Sequence, residues 1–192
     1  MGDKRVMKTV VNSYILASII AVGAMFGMAQ DIRTDKVITS EFENHVREYT
    51  QRREALEAEL PQLSKQATAE EIAAHKGALL NKVLADRKGA RRGYIFTPDA
   101  EVLIRSIITG QYQGRDRIEL RKELAEAENK TVAVKVNAVY PEAAELLEMP
   151  PTLLLALPQL PKQVRYRFVG TNLLIVDREN HLIVDYMTNA LP

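Results

Sequence analysis

Apolar residues follow three successive patterns along this chain: an unbroken run, then helical spacing, then strict alternation. From Tyr14 to Ala29 no residue is charged. Between Ser40 and about residue 130, apolar side chains recur at steps of three and four or their sums. Phe42, Val46, Tyr49, Leu56 and Leu60 form one such stripe, opened by Ser40 and Glu43 at capping-box spacing and closed by Pro61. Glu48 and Arg52, acid first at i,i+4, are expected to pair on its outer face. Thr68 with Glu71 predicts the start of a second helix, with Ile72, Leu79, Leu80 and Val83 inward. A loop from Asp86 to Gly93 comes next, broken by two glycines. Thr97-Pro98-Asp99 is a third helix start: a capping hydroxyl, a proline at the first helical position and an acid at the positive dipole end. That helix carries Val102, Leu103, Ile107 and Ile108 and should end near Gly110. A fourth, shorter helix is expected from Asp116, with Ile118, Leu120 and Leu124.

After Lys130 the period becomes two. Val132, Val134 and Val136 alternate as in a half-buried strand. A passage punctuated by Pro141, Pro150, Pro151, Pro158 and Pro161 has room for a short helix over Thr152 to Leu157. Three strands then come in close succession, Val164–Val169, Leu173–Asp177 and Leu182–Met187, with connections short enough for an antiparallel meander. In alternation, Leu173, Ile175, Leu182, Val184 and Tyr186 share one face, and Leu174, Val176, Ile183 and Met187 the other. Both faces are apolar, so both need cover. The helices are expected on one side and the Leu153–Leu160 stretch on the other, a homodimer partner being the alternative cover. The fold class expected is α+β: three to four N-terminal helices packed on a small antiparallel sheet of about four strands, with a C-terminal β-meander.

Charge explains the first run. Lys4, Arg5 and Lys8 form a basic head, and Gly27 and Ala29 stand three residues and one residue before a plausible cut at Gln30. A positive head, an apolar stretch and a small-x-small end predict a signal peptide over residues 1–29, cleaved near Ala29. A retained N-terminal membrane anchor is the alternative, though the run is short for a span. The domains expected are thus 1–29 as signal peptide, 30–129 as a helical region and 130–192 as a β-rich region packed with it. The mature protein is expected in the periplasm or secreted, with no membrane span after signal cleavage. Losing three basic residues and Asp3 turns 26 basic and 25 acidic residues into 23 and 24, a formal charge of −1. Such balance argues against a nucleic-acid partner. With no cysteine, the exported domain is disulfide-free and its core must hold alone.

Little in the sequence points to chemistry. Asp185, between Ile183 and Met187 on an apolar face, needs a partner, and Arg165 or Arg167 on the neighbouring strand is within reach. A structural ion pair is favoured over an activated acid. His45, His75 and His181 lie on different elements without the close spacing of zinc ligands. Asp177, His181 and Asp185 cluster around one hairpin, but their opposite parity works against convergence. Ser64 and Ser106 lack an activating context. Arg87, Lys88, Arg91 and Arg92 form the densest basic turn, read as a solvated loop that meets anionic envelope groups. Asn129-Lys130-Thr131 has the form of a glycosylation sequon, taken as chance. No residue stands in a catalytic, cofactor-binding or metal-ligating constellation, and no cofactor is implied.

The C-terminal half carries a more specific pattern: Val136-Asn137-Ala138-Val139-Tyr140-Pro141, Pro150-Pro151-Thr152, Leu157-Pro158-Gln159-Leu160-Pro161, Tyr166-Arg167-Phe168-Val169-Gly170 and Leu182-Ile183-Val184-Asp185-Tyr186. It resembles an uncharacterised family of exported bacterial proteins, a resemblance that implies export but no activity and no site residue. The closing hairpin is also similar to the small β-domain of periplasmic nickel/cobalt-homeostasis proteins. The function expected is a non-catalytic periplasmic protein that binds an unknown protein or envelope component, or maintains envelope homeostasis. A small-ligand or metal-binding module centred on the terminal hairpin is the alternative, and a hydrolase of unknown class comes third.

Overall fold

In the computed structural model, residues 34–112, 118–119, 122, 134–140 and 149–191 are described. The leader expected over 1–29 and most of the fourth helix lie outside them. The chain divides into two contact units, Met1–Ile38 and Thr39–Pro192. The described part of the first is helical, and the second holds the sheet with the helices packed on it.

Residues 34–58 are helical (α1), so Ser40 lies inside a helix rather than at its cap. The capping-box match at Ser40 is a coincidence of spacing, because the pattern occurs wherever a helix surface carries Ser and Glu three apart. The apolar stripe holds: Phe42, Val46, Tyr49 and Leu56 are buried. Its missing step is Arg53, which is also buried. Thr68 does cap α2 (Ala69–Asp86), with the threonine hydroxyl accepting from Glu71 N–H and the glutamate accepting from Thr68 N–H. Leu79 and Val83 go into the core, while Ile72, near the helix start, is exposed. Thr97 caps α3 (Pro98–Gln111). The inward stripe of α3 is Ala100, Ile104 and Ile108, one step away from the expected phase, and Val102 stands outside. A six-residue helix, α4 (Pro151–Ala156), packs against α3 and buries Leu153.

Strands β1 (Val164–Val169), β2 (Asn172–Asp177) and β3 (Ile183–Met187) form an antiparallel meander in that order. The β1–β2 connection has two residues, and Gly170 at φ 53° supplies the left-handed conformation such turns need. These are the strands found among the described residues, so α+β holds with three strands rather than four. At the fourth expected strand, Val134 and Val136 lie outside any strand. Residues 137–140 instead run beside β3, joined by a single bridge between Val139 and Leu182 and by bonds such as Ile183 N–H to Ala138 O.

The register corrects the expected faces of the hairpin. Leu173 opposes Met187, Leu174 opposes Tyr186, and Ile175 opposes Asp185, but Val176 opposes Ile183. Val184 is therefore an extra residue, a β-bulge. Tyr186 and Met187 thereby exchange their expected faces, while Ile183 stays with Leu174 and Val176, where these three pack with Tyr140. Val134, Ala138, Val169 and Tyr186 complete that layer, so residues 134–140 cover the face expected to lie under Leu153–Leu160. The opposite face meets the helices. There Tyr166 stacks near Phe42 at 6.5 Å between centroids, Phe42 meets Phe96 edge-on at 5.6 Å, and the Tyr166 hydroxyl donates to Pro158 O.

Candidate functional site

Two aspartates point from this sheet toward the helical side, and both are fully buried. Asp185 shares its rung with Ile175 and Tyr166. Its Oδ2 accepts from the backbone N–H groups of Ile95 at 2.7 Å and Phe96 at 3.0 Å. Its Oδ1 accepts from Gly93 N–H at 3.0 Å and Tyr186 N–H at 2.9 Å. Four amides thus meet one carboxylate, and hydrogen bonds to the ionised form replace the water lost on burial. Gly93 sits at φ 90°, which lets its N–H turn inward ahead of the α3 cap. The arginine partner expected for Asp185 is not used. Arg165 opposes Val176 and Arg167 opposes Leu174, which places both on the other face of the sheet.

Asp177 ends β2 and also uses both oxygens. Oδ1 accepts from Glu179 and Asn180 N–H, fixing the β2–β3 turn. Oδ2 accepts from the Tyr49 hydroxyl at 2.8 Å and Arg53 Nε at 2.9 Å, fixing α1 to the sheet. Burial raises the Tyr49 phenol well above its ordinary value, and the charge and hydrogen bond of Asp177 push it the same way. Burial pulls the Arg53 guanidinium down, but the charges of Asp177, Glu57 and Glu179 outweigh it and the net direction is up. Arg53 donates onward to Glu57 at 2.6 Å and to Glu179. Beside them stands His75 of α2. One ligating atom from each of Glu57, His75 and Glu179 lies within 4.8 Å of the others. The network runs continuously from a dry end, Tyr49 and Asp177, to a half-buried end of two carboxylates and an imidazole.

The remaining sequence candidates are dispersed. Asp177, His181 and Asp185 do not converge: each aspartate is engaged with its own set of donors, and His181 occupies the turn at φ 53°. His45 packs on Tyr94, ring centroids 4.6 Å apart. Ser64 accepts from Gln66 N–H, and the sequon lies outside the described residues. Glu48 takes the hydroxyl of Tyr94, and Arg52 pairs with Asp86 at 2.6 Å, so the expected Glu48–Arg52 pair gives way to contacts across elements. The basic turn is half structural. Arg87 donates to Val184 O at 2.6 Å and to Asn137, and lies over the Tyr49 ring at 5.0 Å. Arg92 bridges Glu101, Thr188 and Tyr186 O. Lys88, Arg91 and Arg92 are exposed as expected, and Arg87 is the half-buried one of the four.

Sequence reasoning missed Arg53, Glu57 and Glu179. A signal for the first was present, since an arginine occupying an inward step of an apolar stripe must find buried acids. Glu57 carries a local mark only as the i+4 partner of Arg53, and Glu179 carries none, because its neighbours come from helices more than a hundred residues away. No helix among the described residues is long and apolar enough to cross a membrane. No protein-family model, curated protein or solved structure matches the chain.

Proposed function

We propose that this is a non-catalytic exported protein that acts by binding another macromolecule of the bacterial envelope. The observation that carries the reading is apolar surface left on α3 and α4, two helices that pack together: Val102 is 69% exposed and Leu155 81%. Large apolar side chains left in water on neighbouring elements are the material of a docking surface. The buried charged groups support the same reading from the other side. Asp185, Asp177 and Arg53 spend their hydrogen-bonding capacity holding elements together, which is a poor arrangement for a reacting acid or base. Export rests on the basic head and apolar run of residues 1–29 and on the resemblance of the C-terminal half to an exported bacterial family.

A photo-crosslinking residue at position 155 of the full chain, expressed in cells, tests the binding. A discrete adduct with an envelope component is expected, weakened by Val102→Glu. Absence of any adduct, or one unchanged by that substitution, overturns the reading, and an adduct with a second copy of the chain replaces it with a homodimer. Mass spectrometry of the recovered protein should find Gln30 at its start. An intact Met1 in the cytosolic fraction would refute export.

A further inference from the structure

We propose that Glu57, His75 and Glu179 bind one divalent first-row transition-metal ion, with zinc the best fit to the donors. The site does not depend on the macromolecular partner proposed above. Three features converge on it. First, the donors come from the end of α1, from α2 and from the β2–β3 turn, yet lie within 4.8 Å of one another. Zinc bonds to nitrogen and carboxylate oxygen are about 2.0–2.2 Å, which places tetrahedral neighbours about 3.3 Å apart. The two glutamate side chains are 36% and 29% exposed, so each has room to rotate inward by that margin.

Second, the carboxylates gathered here outnumber the guanidinium that joins them. Among the described residues Arg53 is the one cation ion-paired with Asp177, Glu57 and Glu179, which leaves two negative charges over. A dication cancels both. Arg53 holds one oxygen, Oε2, of each glutamate, and so fixes the carboxylate planes while the second oxygen of each stays outside that pairing. That is how groups behind a metal's ligands commonly orient them. Third, His75 Nδ1 is shut away from water and has no hydrogen-bond partner among the described residues. A metal bound at that nitrogen would offset the free energy that a buried ring nitrogen without a partner costs.

The donor chemistry selects the ion. One imidazole and two carboxylates suit zinc and its neighbours in the first transition row, whereas calcium and magnesium prefer oxygen alone. Three protein ligands leave a coordination position open to water or to a donor from outside. His75 also lines a cavity of about 440 Å³ with Leu60, Leu63, Ala74 and Ala78, so a ligand reaching the ion along that wall would meet apolar surface.

The test is calorimetric titration of the purified full chain with zinc chloride after EDTA treatment and dialysis, with melting temperature as a second readout. One ion per chain and a raised melting temperature are expected. His75→Ala and Glu179→Gln should each weaken binding by about tenfold or more, while His45→Ala leaves it unchanged. Because Glu179→Gln also loosens Arg53, cobalt substitution supplies an independent check: visible absorption of the bound ion should appear with the parent chain and vanish in His75→Ala. Binding by His75→Ala equal to that of the parent, calcium binding as tightly as zinc, or no heat and no thermal shift at micromolar zinc would overturn the site.

Discussion

Asp185 Oδ2 accepts the Ile95 backbone N–H at 2.7 Å across ninety positions of sequence. With the Phe96 and Gly93 amides on the same carboxylate, this contact hangs the loop before α3 on β3. Removing the acceptor leaves these inward-facing amides without partners, at about 1–3 kcal/mol for each one buried. Asp185→Ala should therefore lose about 3 kcal/mol or more. A fall in the urea midpoint at unchanged slope is the expected result, and a change under about 1 kcal/mol would show that water replaces the carboxylate.

Arg53 and Asp177 form the second tie, at 2.9 Å with both side chains almost wholly out of water. Truncating one partner strands the other, which typically costs about 3–5 kcal/mol. Arg53→Met should fall in that range. Adding Asp177→Asn should restore part of the loss, since the stranded charge is gone. A double-mutant cycle on denaturant midpoints checks this, and simple additivity would mean the pair is not coupled.

Alkaline pH should destabilise the protein through its buried phenols. Burial raises Tyr49 and Tyr166 well above their ordinary value, Tyr49 further through Asp177 and Tyr166 through the charge of Glu43. A group whose folded pKa is raised gives stability that is complete below the unfolded value, near 10, and is lost as pH climbs past it. Melting temperature should hold up to about pH 9 and drop beyond about pH 10. Phenylalanine at both positions should flatten that slope without abolishing it, because burial raises Tyr140 in the same direction. An unaltered slope in the double variant would contradict this account.

Two serine/threonine positions with the same sequence spacing should behave oppositely. Thr68→Ala removes a working helix cap and should cost about 1 kcal/mol. Ser40→Ala replaces an exposed side chain within a helix and should be neutral or favourable by up to about 0.5 kcal/mol. Thermal denaturation of the two variants side by side decides it, and equal losses would place a cap at both.

Local chemistry made much of the fold legible. Thr68 with Glu71, Thr97-Pro98-Asp99 and the three closing strands each carry their instructions within a few residues, and each is found where the pattern puts it. The need of Asp185 for a partner was also readable, because an apolar face does not tolerate an unsatisfied carboxylate. Its partners were not, since backbone amides look alike in every sequence and only the tertiary fold brings Gly93–Phe96 beneath β3. The hairpin faces failed for a different reason. One extra residue reverses parity, and alternation alone does not reveal where a strand bulges. The Glu57–His75–Glu179 group depends on three segments meeting, which no spacing encodes.

That extra residue, Val184, makes strand length a matter of alignment between layers. Its carbonyl is claimed by Arg87 at the end of α2, and its presence keeps Asp185 on the helical side while Ile183 turns away. Paired regularly, with Val184 opposite Val176, the strand would carry Ile183 to the helical side with Asp185 and take it out of the layer around Tyr140. The irregularity thus works as a keyed joint, letting one short strand present an acid to the helices and an isoleucine two positions away to the opposite layer.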